Sequence, residues 1–265
     1  MALFKCLVAI AICAFLGGCD QATIMKKWTP PEAESLAKSY VDLLRQGKYD
    51  QIEHDLDPSV PESDIRDTFA KMGTLFPTEN PESVKVVGAH IFHGQGYSTT
   101  SITLEYQFPS KWLLVDVTTK KEGDATTVTG FHVSSTPDSL ENLNRFTFVG
   151  KSATQYLILT LAVCSLLFSF YVLLVCIRTR DGKRKWLWML FILVGVGKLG
   201  VNWTSGQWAF TLLAIQIPCA TATAPLYGAW TVVVYLPLGA MLYLNHRWKM
   251  KVEGKLIEPM SHDPE

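Results

Sequence analysis

The 265-residue chain has six cysteines, and none of them lies between Asp20 and Gly150. No disulfide can hold that stretch, and no thiolate within it can bind a metal or attack a substrate. The formal net charge is zero, so the chain lacks the basic excess of a nucleic-acid-binding protein. It contains neither a glycine-rich phosphate loop nor a nucleophile motif. These absences predict a protein that is not an enzyme, needs no cofactor or metal and has no nucleic-acid partner. The zero charge also conceals a partition. Residues 20–150 hold 19 acidic against 12 basic side chains, whereas residues 151–265 hold 5 against 11.

What is present begins at the N-terminus. Lys5 precedes an apolar run at 7–16, which has the length of a signal-peptide core and is short of the roughly 20 residues of a transmembrane helix. The run closes on Leu16, Gly17, Gly18 and Cys19. These four residues resemble a bacterial lipobox. The resemblance implies cleavage before Cys19, lipidation of Cys19, and loss of Cys6 and Cys13 with the signal peptide. It also implies that Asp20 acts as a membrane-retention signal, keeping the lipoprotein in the inner membrane of a bacterium with two membranes.

Long uncharged stretches dominate from residue 155 onward. Residues 156–177 carry no charge, enough to cross a bilayer with some tilt. Arg178, Arg180, Lys183, Arg184 and Lys185 follow, with Asp181 the single acid among them, and this excess marks a cytoplasmic loop. Residues 186–201 read as a second span, with Trp186 and Trp188 at one interface and Lys198 snorkelling at the other. Residues 226–244 read as a third, kinked at Pro237 and followed by Arg247, Lys249 and Lys251. Between them, 209–225 reads as a re-entrant or interfacial segment, because Pro218 and Pro225 make it a poor helix; a crossing there would give four spans. The expected organisation is a signal peptide at 1–18, a periplasmic α+β domain at 19–150, a transmembrane region at 151–251 and a cytoplasmic tail at 252–265. Cys164, Cys176 and Cys219 fall in or near apolar segments and read as packing residues.

Within 19–150 the pattern is that of a soluble domain. Pro31 and Glu32 suit a helix first turn, and Leu36, Tyr40, Leu43 and Leu44 share a helical face. Further helical signals lie at 49–56 and 64–73. After Pro81 the period changes to two, predicting four strands at 84–92, 98–108, 111–119 and 126–134 joined by hairpin-like turns. The expected fold class is therefore α+β, with N-terminal helices on a four-stranded antiparallel sheet, followed by an α-helical transmembrane region.

This element order, with the helix through Tyr40, Val41, Asp42, Leu43 and Leu44, the strand Trp112, Leu113, Leu114, Val115, Asp116, Val117 and the strand Thr129, Gly130, Phe131, His132, Val133, resembles the nuclear transport factor 2-like, cystatin-like superfamily. The resemblance implies helices across a curved sheet forming a cone, which in some members holds a small apolar ligand or works as an isomerase or dehydratase through aspartate or histidine. The segment from Gly197 to Trp203 is similar to an uncharacterised bacterial membrane-protein family, which implies no activity.

The candidate cavity residues are Asp116, His132, His90 and Trp112, with Glu105 a further carboxylate. Alternation puts His90 with Val86 and Phe92, Asp116 with Trp112 and Leu114, and His132 with Val128 and Gly130. A carboxylate among apolar neighbours can act as a base; on a solvated face it does not. His90 and His93 are three apart, so in a strand their rings point to opposite faces and cannot share an ion. The function expected is a lipid-anchored, multi-pass protein of the bacterial inner (cytoplasmic) membrane. Its periplasmic domain binds or scaffolds an envelope protein partner, and membrane lipids are its other partners. The alternatives are an enzyme working on a small apolar molecule in the cone and an accessory subunit of an envelope transport complex.

Overall fold

The computed structural model of the protein describes residues 21–61, 64–179 and 185–252. Cys19, Asp20, the expected signal peptide at 1–18, the basic residues Arg180, Lys183 and Arg184, and all but the first residue of the expected tail lie outside the described residues. The chain divides into two compact units, with the boundary after Leu143.

The first unit contains α1 (Gln21–Trp28), α2 (Pro31–Arg45), α3 (Tyr49–His54) and α4 (Ile65–Gly73), then β1 (Ser83–His93), β2 (Tyr97–Gln107), β3 (Trp112–Glu122) and β4 (Ala125–Thr136), and ends with α5 (Leu140–Leu143). Pro31 opens α2, with Glu32 and Glu34 in its first turn, where their charge complements the free amide groups of the helix start. The strands form an antiparallel meander in the order β1-β2-β3-β4. One face carries Ile102, Leu104 and Tyr106 from β2 and Leu113, Val115 and Val117 from β3. It packs against Tyr40, Val41 and Leu44 of α2, Ile52 of α3 and Phe69 and Met72 of α4.

The chain arriving from α3 meets the β4 edge at Val128. The Asp57 amide donates to the Val128 carbonyl at 2.9 Å, and the Val128 amide donates to the Asp55 carbonyl at 2.8 Å. The Asp57 carboxylate then accepts from the Ser59 hydroxyl at 2.6 Å, the Ser59 amide at 3.0 Å and the Thr127 hydroxyl at 3.0 Å, with the Lys120 ammonium at 3.5 Å. Those donors, Ser59 foremost, outweigh the opposing desolvation and hold its pKa at about 2.

The second unit departs from the expected helical bundle. It contains α6 (Ala153–Arg178), α7 (Lys185–Ile192), β5 (Gly195–Asn202), β6 (Trp208–Gln216), β7 (Ala220–Thr223), β8 (Thr231–Leu236) and α8 (Leu238–Val252). Its strands make a second antiparallel sheet in the order β6-β5-β8-β7. The expected α-helical transmembrane region is thereby corrected: among the described residues a single helix, Ala153–Arg178, is long and apolar enough to cross a membrane. The second expected span, 186–201, is the eight-residue α7 followed by β5, and the third, 226–244, is β8 followed by the start of α8. The segment 209–225, expected to be re-entrant or interfacial, holds most of β6 and all of β7. With two of the three spans gone, multi-pass placement in a bacterial inner membrane is corrected as well.

The physical reasons are local. Gly195, Gly197 and Gly200 lie within one short stretch, and each glycine weakens a helix by about 1 kcal/mol. Thr231, Val232, Val233 and Val234 are consecutive β-branched residues that favour a pleated strand. Pro237 stands immediately before α8 rather than inside it, and its carbonyl accepts from the Met241 amide at 3.1 Å. A continuous apolar run is equally consistent with a buried strand and a helix.

At the start of α6, Ser152 and Gln155 form a capping box. The Gln155 amide donates to the Ser152 hydroxyl at 3.3 Å, and the Ser152 amide donates to Gln155 Oε1 at 2.8 Å. The Gln155 side chain also donates to the Trp203 carbonyl at 2.7 Å. The fully buried Trp203 stacks on Phe146 at 4.7 Å and donates its indole N–H to the Thr147 carbonyl at 2.7 Å. Ile158 and Ala162, in the first half of α6, pack on Val201, Val232 and Val234 of the sheet. Val172 and Cys176, in its second half, pack on Ile192 of α7 and Ala240 and Tyr243 of α8.

Candidate functional site

The face of the first sheet turned away from its helical core follows from the strand register. Gly88, Thr103, Asp116 and His132 stand opposite one another across β1, β2, β3 and β4. A parallel row contains Lys85, Glu105, Leu114 and Ser134, and a third ends in Trp112 and Thr136. On the other side of the first row lie His90, Ser101, Thr118 and Gly130. Successive side chains alternate between faces, so all four candidates, Asp116, His132, His90 and Trp112, share the face that does not pack on α2, α3 and α4.

The structure brings some of them together and leaves others apart. Asp116 and His132 are direct cross-strand neighbours, a separation of about 5 Å between Cβ atoms. The Thr103 hydroxyl donates to Asp116 Oδ1 at 2.5 Å. A Cβ on Gly88 would lie 2.8 Å from Thr103 Oγ1, so the glycine leaves room for that hydroxyl. His90 stands two strands from Asp116, about 10 Å away. Trp112 is four residues along β3, about 13 Å away. Asp116 and Trp112 are half-buried, while His132 and His90 are exposed.

Glu105 is the other carboxylate on this face and is 2% exposed. It accepts the Leu140 amide of α5 at 2.6 Å. Burial pushes its pKa up, the Leu140 N–H and Lys85 pull it down, and Glu141 and Asp138 raise it further. It therefore ties α5 to the sheet. On the core side, Tyr40 donates to Asp55 at 3.1 Å, and burial followed by the Asp55 charge pushes its phenol up to about 12. Tyr106 is likewise raised, chiefly by burial. Both phenols are neutral packing groups at physiological pH.

The chain matches no family model, no curated protein and no solved structure.

A carboxylate held by a threonine hydroxyl, an adjacent exposed imidazole, and a half-buried indole along the strand offer an acceptor, a titratable group and an apolar plate. His132 makes no hydrogen bond to Asp116 among the described residues. Thr103 was absent from the sequence-derived candidates, although the Ser/Thr alternation at 99, 101 and 103 is its signal. The Asp57, Ser59, Thr127 and Lys120 cluster was also missed, because its members come from segments far apart in the chain.

Proposed function

We propose that this chain is a lipid-anchored protein whose first unit is a binding or scaffolding module working through Trp112, Asp116 and His132. The observation that carries this reading is the placement of Thr103, Asp116 and His132 in one row on the sheet face opposite the one packed by α2, α3 and α4. A catalytic base buried in a cone would stand on the opposite face, which side chains of α2, α3 and α4 fill. The resemblance to the nuclear transport factor 2-like, cystatin-like superfamily supports a ligand- or partner-binding role of the same kind. The acidic excess of residues 20–150 favours a protein partner with a basic contact surface. Lipidation at Cys19 supplies the anchor in this reading, and α6, the helix suited to crossing a bilayer, supplies a second attachment.

Two measurements test it. A photo-reactive residue at position 132 in the full chain should give a discrete adduct in native membranes, reduced at least tenfold by Asp116→Lys. The same residue at position 32, on the exposed side of α2, should give none. Adducts that ignore Asp116→Lys, or none at 132, overturn the binding face. For the anchor, the intact mass of the mature protein should correspond to a chain beginning at an acylated Cys19. A chain retaining residues 1–18 without acylation removes the anchor.

A further inference from the structure

The second unit contains an apolar groove between α6 and its sheet. α6 covers β8, β7 and β5, and β6 stands at the open end of the strand order. The groove encloses about 570 Å³ and is lined by Leu161 and Phe168 of α6, Leu199 of β5, Phe210 and Leu212 of β6 and Val234 of β8. That volume falls in the range of small-ligand sites.

The β5–β6 pairing shapes the opening. Val196 pairs with Ile215 and Lys198 with Thr211, so residues 212–214 of β6 face Gly197 alone. Gly197 has φ +72, a left-handed conformation open to glycine at little cost. The bulge re-aims β6, and Leu212 lines the groove while remaining 69% exposed. Phe210 does the same at 60%. Leu213 and Ile215 of the same strand are exposed as well.

The chemistry of the lining selects the occupant. Among the described residues, no charged side chain borders the groove. Its two hydroxyls are already engaged: Ser165 donates to the Tyr235 carbonyl at 3.1 Å, and the Tyr235 hydroxyl donates to Gln216 at 2.5 Å. A ligand bearing buried polar groups would leave them unpaired there, whereas a hydrocarbon loses nothing. The groove also runs along α6, a 26-residue helix long and apolar enough to cross a membrane that exposes Leu157, Leu167, Phe170 and Leu174 elsewhere on its surface.

We propose that this groove holds one acyl chain of a membrane phospholipid. The proposal rests on the reading that the protein is attached to a membrane. Occupation removes the exposed lining of Leu161, Phe210 and Leu212 from water.

The test uses the full chain reconstituted in phosphatidylcholine vesicles containing a trace of phosphatidylcholine with a mid-chain diazirine. After photolysis, labelling should concentrate at least fivefold on Leu161, Phe210 and Leu212 relative to Phe170 and Leu174. Leu161→Trp, which fills the groove from a partly exposed position, should reduce labelling at 210 and 212 at least fivefold and leave 170 and 174 unchanged. Leu212→Gln, at a more exposed position, should have the same effect, and it decides the matter if Leu161→Trp disturbs hydrogen exchange of β5 and β8. Equal labelling of groove and non-groove positions overturns the site while leaving membrane attachment standing. No labelling of the second unit overturns both. A diazirine fatty acid that labels the groove more strongly than the phospholipid overturns the phospholipid as the source.

Discussion

The two four-stranded sheets of this chain bury their strands by opposite means. In the first, β3 alternates: Leu113, Val115 and Val117 are buried against the helices, while Trp112, Leu114 and Asp116 on the other face are half-buried. In the second, Val232, Val233, Val234 and Tyr235 are consecutive and all buried. β6 shows the reverse, with Trp208, Phe210, Leu212, Leu213 and Ile215 all exposed. An alternating strand encodes one buried and one wet face. A strand apolar on both faces requires cover on both sides, and among the described residues β6 lacks it. The contrast separates a sheet with one buried face from one whose edge strand exposes large apolar side chains.

The comparison breaks most readily at the cores. Phe69→Ala removes a ring that is 1% exposed and should cost about 3–5 kcal/mol. Leu213→Ala, at a position 91% exposed, should change stability in detergent by less than about 0.5 kcal/mol. Hydrogen-exchange protection of β2 and β3 amides in the first case, and of β5 and β8 in the second, reads both. Equal losses would mean that β6 is packed after all.

Glycines sharpen the contrast at smaller magnitude. A Cβ on Gly239 would run into the Phe191 carbonyl, so Gly239→Ala should force α7 and α8 apart at a cost of about 1–3 kcal/mol. A Cβ on Gly130 of β4 would meet Thr118 Cβ at 3.4 Å, an approach that a few tenths of an ångström relieves. Gly130→Ala should therefore cost less than Gly239→Ala. Thermal unfolding followed by exchange in α7 and α8 against β3 and β4 compares them.

The remaining differences are pH-dependent and confined to the first unit. Asp57 has a folded pKa of about 2 against about 4 for a free aspartate. Its stabilising contribution is present above about pH 4 and is lost as pH falls toward 2. Asp57→Asn should flatten the acid limb of the urea midpoint against pH. Glu105 has the opposite sign. Its raised pKa makes the ionised form the unfavourable one when folded, so its contribution is present in acid and lost as pH rises through the folded pKa. Glu105→Gln keeps an acceptor for the Leu140 amide, and it should stabilise slightly at neutral pH and not at all in acid. A wild-type midpoint that falls through both windows, unaltered by either variant, would remove these two groups from the pH response.

Much of the first unit was legible because its signals are local. Pro31 with Glu32 marks a helix start, and alternation through Ile102, Leu104 and Tyr106 marks a strand. Alternation likewise places Asp116 with Trp112 and Leu114 on one face. The row of Thr103, Asp116 and His132 was not legible, because it depends on how β2, β3 and β4 slide against one another. Nor was the burial of Glu105, which depends on Leu140 returning to the sheet 35 residues later. In the second unit, hydropathy at 186–201 and 226–244 was read as spanning helices, and the glycine and β-branched content that favours strands there was outweighed.

The sequence by itself determined where apolar chain begins and ends, which strands of the first sheet alternate, and that 156–177 is an uncharged apolar run. Tertiary structure decided that the later apolar runs pair into a sheet, which carboxylate is buried and which meets a threonine, and that β6 is left bare beside α6. The reason is physical. Transfer of apolar groups out of water has no direction, so an apolar run specifies burial without specifying its geometry. Strand pairing and cross-strand neighbours arise only when distant segments satisfy one another's backbone hydrogen bonds.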